Sequence, residues 1–162
     1  METTNKNASL TADREIVTER IVNAPQKLVF DAWTKPEHLV NWWGPNGFTN
    51  TFQEADIRVG GRWKFIMHGP DGKNYPNEIV YHEIDPYSKL KYGHSGPEDP
   101  DGVNFTTTVT FEEAGAGKTK VTMTGVFPSK EMMELVIRER GAKKGGEETM
   151  AKMAAYVEQL AQ

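Results

Sequence analysis

GGEETMAKMAAYVEQLA, residues 145–161, is the stretch whose reading decides the fold. Met150, Met153, Val157 and Leu160 recur at spacings of three, four and three, which places them on one stripe of a long helix. Lys152, Glu158 and Gln159 fall on the opposite side. A helix with one apolar stripe must bury it against another layer, and the rest of the sequence supplies that layer as strands.

Upstream, strand-like runs are bounded by turn residues: 48–59 closed by Gly60-Gly61, 62–68 closed by Gly69-Pro70-Asp71-Gly72, and 77–84 closed by Asp85-Pro86. The runs 89–94, 104–113 and 118–127 follow, with Gly115 and Gly117 turning the last hairpin. Short turns predict antiparallel neighbours. Trp63, Phe65 and Met67, then Val109 and Phe111, then Val121 and Met123 alternate with polar residues, so one face of the sheet is apolar. Ahead of these runs REIVTERIVN, residues 14–23, carries apolar residues on both parities and reads as a further strand with a partly covered outer face.

Two short helices are expected after that strand. Asn23-Ala24-Pro25 offers a cap and a proline for the first, with Leu28, Val29, Ala32 and Trp33 at helical spacing. Thr34 with Glu37 resembles a capping box for the second, which carries Leu39, Trp42 and Trp43 and stops at Gly44-Pro45. Beyond Pro128 the helical pattern returns in two pieces, 129–139 and 145–161, parted by Gly141, Gly145 and Gly146. The expected class is therefore α+β: a curved antiparallel sheet of six to seven strands wrapped around a long C-terminal helix.

A length of 162 residues with 37% hydrophobic content fills one core, so residues 13–162 are read as one domain and residues 1–12, rich in Thr and Asn, as a disordered tail. That tail lacks the basic start and apolar stretch of a secretory signal. No apolar run exceeds three or four residues, Phe65-Ile66-Met67 being typical, so no membrane insertion is expected. The absence of cysteine excludes disulfides and thiolate chemistry and fits a reducing, cytoplasmic setting. Nineteen basic and 23 acidic residues are interspersed, which disfavours a nucleic-acid surface. Arg138, Arg140, Lys143 and Lys144, interrupted by Glu139, read as a solvated helix end.

Four groups of residues carry a family resemblance: Trp33-Thr34 with Pro36-Glu37, Leu39 and Trp42-Trp43-Gly44-Pro45; Asp56-Ile57-Arg58-Val59-Gly60-Gly61-Arg62-Trp63; Met67-His68-Gly69-Pro70-Asp71-Gly72; and Glu83-Ile84-Asp85-Pro86 followed by Leu90. In this order, from about Arg14 to Leu160, the chain resembles the activator of heat-shock protein 90 ATPase-like domain family of the START-like SRPBCC superfamily. The resemblance implies a helix-grip fold with a cavity between sheet and C-terminal helix. Relatives in the superfamily bind lipids, sterols or polyketides, and some act as cyclases. In the co-chaperones that name the family a separate chaperone-binding domain precedes this one. With no room for it here, the resemblance does not bring that activity along.

Trp42, Trp43, Phe48, Phe52, Trp63, Phe65, Met67, Tyr81, Tyr92, Met123, Met150, Met153 and Val157 offer broad, adaptable apolar surface for a small hydrophobic ligand, with a solid core as the alternative. His68, Asp71, Tyr75, His82 and His94 are the groups suited to acid–base work, although Asp71 in a Pro-Asp-Gly turn equally serves the turn itself. Four histidines without a close pair predict no metal site, and Glu98, Asp99 and Asp101 lack the spacing of a calcium loop. Gly60-Gly61 and Gly145-Gly146 form no phosphate loop, so no cofactor is expected. Arg20, Arg58 and Arg62 suit either a ligand carboxylate or ion pairs with Glu19, Glu54, Asp56 or Glu83. The leading expectation is a carrier or sensor of a small hydrophobic molecule. An enzyme of cyclase or hydratase type in the same cavity, a chaperone-interaction module and a homodimer stay open as alternatives.

Overall fold

The computed structural model describes residues 11–95 and 105–162. Most of the expected tail, residues 1–10, and the acidic loop with Glu98, Asp99 and Asp101 lie outside the described residues. A short 3-10 turn, Ala12–Arg14, leads into β1 (Glu15–Val22), α1 (Gln26–Thr34) and α2 (Pro36–Trp42). Then come β2 (Thr49–Ala55), β3 (Arg62–His68), β4 (Asn74–Asp85), β5 (Lys89–Ser95), β6 (Phe105–Glu113), β7 (Thr119–Val126), α3 (Lys130–Arg140) and α4 (Ala142–Leu160).

All seven strands form one antiparallel sheet in the order β1-β7-β6-β5-β4-β3-β2. β2 to β7 run as a meander, so the one long crossing is from β1 through α1 and α2 to β2 at the opposite edge. Register shifts at Phe52/Glu54 and at Tyr81/Glu83 are bulges of the kind that bend a sheet. α4 packs on the concave face: the fold is an α+β helix grip, as the sequence predicts.

Several boundaries differ from those expected, each for a local reason. β4 begins at Asn74 and includes Pro76, which lies opposite Ile66 of β3; among the described residues β5 pairs with β4 only as far as Glu78, so no described strand needs an amide donor from Pro76. β2 ends at Ala55, short of the expected 59, since residues 56–61 fold into a turn against β4, where Gly60 N–H donates to Tyr81 O at 2.8 Å and Tyr81 N–H to Gly61 O at 3.1 Å. A Cβ on Gly61 would lie 2.1 Å from Asp56 O, so only glycine fits there. The two expected helix caps are not formed. Pro25 and Lys35 occupy the N-cap positions, and the Thr34 hydroxyl instead donates to Phe30 O at 3.0 Å.

α4 starts at Ala142, three residues before the expected position. Gly141 alone, in a left-handed conformation (φ 61°), ends α3, and Gly145 and Gly146 lie inside the helix. Met150, Met153, Ala154 and Val157 are buried, whereas Leu160 is 42% exposed because the stripe runs out beyond the sheet. The polar side of α4 is also tied down: Lys152 Nζ donates to Pro45 O at 3.2 Å, and Glu158 accepts from Asn23 N–H at 2.9 Å.

Met153 has no exposed surface and sits in the main core cluster. Met153→Asp should cost several kcal/mol, because a carboxylate there has no partner and little solvent. Urea denaturation measures this; a midpoint equal to the parent's would contradict the packing described.

Candidate functional site

A cleft of about 310 Å³ opens under the first turns of α4. Its floor is the sheet, through Thr18 of β1, Met123 of β7, Thr107 of β6 and the pair Tyr92 and His94 of β5. Its roof is the glycine-rich start of α4, and its rim is Trp43-Gly44-Pro45 with Met67. The rim is held in place, since Asn50 Nδ2 donates to Trp43 O at 2.9 Å, Asn46 N–H donates to Glu148 at 3.1 Å, and Lys152 donates to Pro45 O.

The sequence of α4 explains why the space exists. Farther along the helix Met150, Met153 and Val157 fill the gap to the sheet completely. At Gly145 and Gly146 there is no side chain to do so. A single carbon at Gly145 would already sit 3.5 Å from Pro45 Cγ, and one at Gly146 would sit 3.4 Å from Thr18 Oγ1 and 3.5 Å from Met123 Cε. Any residue larger than alanine at these positions grows into the cleft.

Of the proposed ligand-contact residues, Trp43, Met67, Tyr92 and Met123 are walls of the cleft. Trp42, Trp63, Phe65, Tyr81, Met150, Met153 and Val157 lie in the packed core beside it. Phe52 packs edge-on against Trp63 at 5.0 Å, and Phe48 leans on Tyr75 at 5.9 Å, neither lining the cleft. Phe105 and Phe127 were not singled out from sequence. They continue a stack that starts at His94, with ring separations of 4.1 and 4.7 Å and interplanar angles of 11° and 18°. The register His94↔Phe105 brings the first two rings together, a pairing between residues eleven apart in the chain that local sequence spacing does not reveal.

The acid–base candidates divide between two places. His68 does not meet Asp71: its ring nitrogens bond Thr51 Oγ1 at 2.7 Å and Asn74 Oδ1 at 2.8 Å. Asp71 accepts from Tyr75 OH at 2.6 Å and Lys73 N–H at 2.9 Å, and these bonds hold its carboxyl below the usual carboxylate range. All three sit on the β3–β4 hairpin and none lines the cleft. His82 lies under Gly93, on the other face of the sheet. His94 does line the cleft, and burial pushes its pKa down to about 4, so it is uncharged near neutral pH.

The remaining electrostatics are simple. No Asp, Glu, Lys or Arg is among the described residues that line the cleft. Arg58 pairs with Asp56 at 2.9 Å and Arg62 with the buried Glu78 at 3.2 Å, away from the cleft. Among the described residues no three His, Asp or Glu side chains converge as metal ligands would.

His94 gives the fold an acid sensitivity whose sign is fixed. In the unfolded chain it takes up a proton near 6.5, in the folded one near 4. Between these values the unfolded state binds more protons, so stability falls as pH drops from 6.5 to 4. The urea midpoint should therefore decline more between pH 7 and pH 4.5 in the parent than in His94→Phe, which keeps the ring stack; equal declines would rule out this contribution.

Solved structures share the fold. A protein from Arthrobacter aurescens superposes with a TM-score of 0.82 at 25% identity, covering 92% of this chain and 88% of that one. A Chromobacterium violaceum protein gives 0.76 at 24% identity over 90% and 97% of the two chains. The AHSA1 protein from Silicibacter pomeroyi gives 0.71 at 18% identity over 90% and 99%. No functionally curated protein matches. The pattern that defines the Activator of Hsp90 ATPase homolog 1-like protein family runs through residues 23–158, from the end of β1 into the last turn of α4, and the chain belongs to that family.

Proposed function

We propose that this domain binds one small, uncharged hydrophobic molecule in the cleft under α4, as a carrier or sensor. The observation that carries the reading is the cleft's composition: aromatic rings, methionine, glycine and threonine, with no charged side chain among its described residues. A space of about 310 Å³ is at the lower end of small-molecule sites and suits a ligand of two or three fused rings or a short chain. Trp43, Met67, Tyr92 and Met123 are the contacts this reading uses.

Binding is favoured over catalysis by the same geometry. The groups best suited to proton transfer, His68 and Asp71, sit on an exposed hairpin outside the cleft. Within it, burial keeps both His94 and Tyr92 in their uncharged forms, which suits passive contact better than acid–base turnover. A chaperone-facing role would use the outer surface and leave the cleft idle.

N-phenyl-1-naphthylamine, an uncharged probe, should bind saturably at one site and quench Trp43, the cleft-wall tryptophan among the described residues. Gly146→Leu should abolish the response by filling the space beside Thr18 and Met123. Helix propensity favours the change, and overpacking costs ~1–3 kcal/mol, so melting is measured alongside. Unchanged probe binding in a folded Gly146→Leu protein would move the site elsewhere. No binding at all would sink the carrier reading and leave a surface interaction, tested by chaperone pull-down, as the leading account.

A further inference from the structure

The rim of the cleft runs on from Pro45 into the one Asn-Gly pair of the sequence, Asn46-Gly47. These two residues are the exposed tip of a tight turn closed by Phe48 N–H on Pro45 O at 3.2 Å. Two bonds clasp the turn to α4: Asn46 N–H donates to Glu148 at 3.1 Å, and Lys152 Nζ donates to Pro45 O at 3.2 Å. Among the described residues nothing hydrogen-bonds the Asn46 side chain or Gly47 N–H. The fold dictates the glycine, since its φ is +87° and a Cβ there would lie 3.2 Å from Pro70 Cβ and Cγ. Nothing comparable calls for asparagine at 46, where the one tie is made by the backbone.

Asparagine before glycine is where a chain modifies itself most readily, because the next residue has no side chain to hinder attack by its backbone nitrogen. The Gly47 nitrogen gives up its proton and bonds to Asn46 Cγ; the Cγ–Nδ2 bond breaks, ammonia leaves and a succinimide ring is closed. Water then opens the ring. Attack at Cγ gives aspartate, and attack at the main-chain carbonyl carbon gives isoaspartate, whose backbone runs through the side chain and is one carbon longer. Water is the one reactant consumed. Asp71-Gly72, on the adjoining hairpin, is held back from the same ring closure: its carboxyl accepts from Tyr75 OH at 2.6 Å and Lys73 N–H at 2.9 Å, which keeps it ionised and a poor target for a nucleophile.

We propose that Asn46 is a site of spontaneous deamidation and that its isoaspartate form releases the cleft rim from α4. The added carbon falls inside the loop that the Phe48–Pro45 bond closes. The new carboxylate is attached to the same carbon as the amide held by Glu148, so two negative groups meet inside the ~8 Å screening length of physiological salt. Lys144, 4.0 Å from Glu148 and largely exposed, offsets little of this.

The parent and Asn46→Gln, which reacts far more slowly and alters only an exposed, unbonded side chain, are aged together in warm, mildly alkaline buffer, with folding followed by melting. The parent peptide that holds residue 46 should gain about 1 Da before those with Asn23, Asn41, Asn50, Asn74 and Asn77, and protein isoaspartyl methyltransferase should place its methyl group on that peptide. In the aged parent the Phe48 amide should exchange with deuterium about tenfold faster than in fresh protein, the loss of one hydrogen bond, while aged Asn46→Gln keeps the fresh rate. Both readouts are indifferent to what the cleft binds. A residue 46 still intact after the other asparagines have reacted overturns the site. Conversion with an unchanged Phe48 rate, or the same acceleration in aged Asn46→Gln, overturns the release.

Discussion

The contact between the buried face of α4 and the concave side of the sheet governs everything else in this molecule. Met150, Met153, Ala154 and Val157 set the distance between helix and strands. One turn earlier the two glycines put no side chain into the space between helix and sheet, where a single carbon at Gly146 would already touch Thr18 and Met123. The cleft is thus a consequence of where the bulky residues of one helix stop. The segment 43–48 between α2 and β2, which carries Trp43, closes its side, anchored to the same helix through Lys152 and Glu148.

Polar groups are sorted with equal economy. Charged side chains pair on the outer surfaces, as Lys89 does with Glu83 and Lys120 with Glu19, where solvent makes each pair worth little. Among the described residues, the polar side chains inside the cleft are hydroxyls, an amide and one uncharged imidazole. An interior of that kind tolerates apolar guests and discriminates among them through very few directed bonds.

Much of this was legible in the sequence. The 3-4-3 spacing of the last helix, the alternation at Trp63, Phe65 and Met67, and the Gly-containing turns specify helix, sheet face and hairpins by local rules that tertiary context does not override here. What could not be read was volume. Phe65 and Met67 have the same parity on one strand, yet one is packed in the core and the other borders the cleft, a difference set by what lies opposite each. Likewise Gly145 and Gly146 carry the ordinary signature of a helix boundary, and only the left-handed Gly141 upstream shows that the boundary had already passed. The His94–Phe105–Phe127 stack depends on strand register across a long connection, information that spacing along the chain does not contain.

The sheet order carries a consequence for the chain as it is made. β1 pairs with β7, so Glu15 waits for Val126 and Val22 for Thr119 before their hydrogen bonds can form. β2 through β7 can zip up hairpin by hairpin as they emerge, each strand meeting one just completed. β1 has no such neighbour. During synthesis its Val17 and Ile21 travel ahead of the assembling sheet with an open backbone edge, and the two tryptophan-bearing helices behind it lack the surface they will cover. The most exposed interval in this protein's life therefore falls between the emergence of its first strand and that of its seventh, a window that a mature, folded sample does not display.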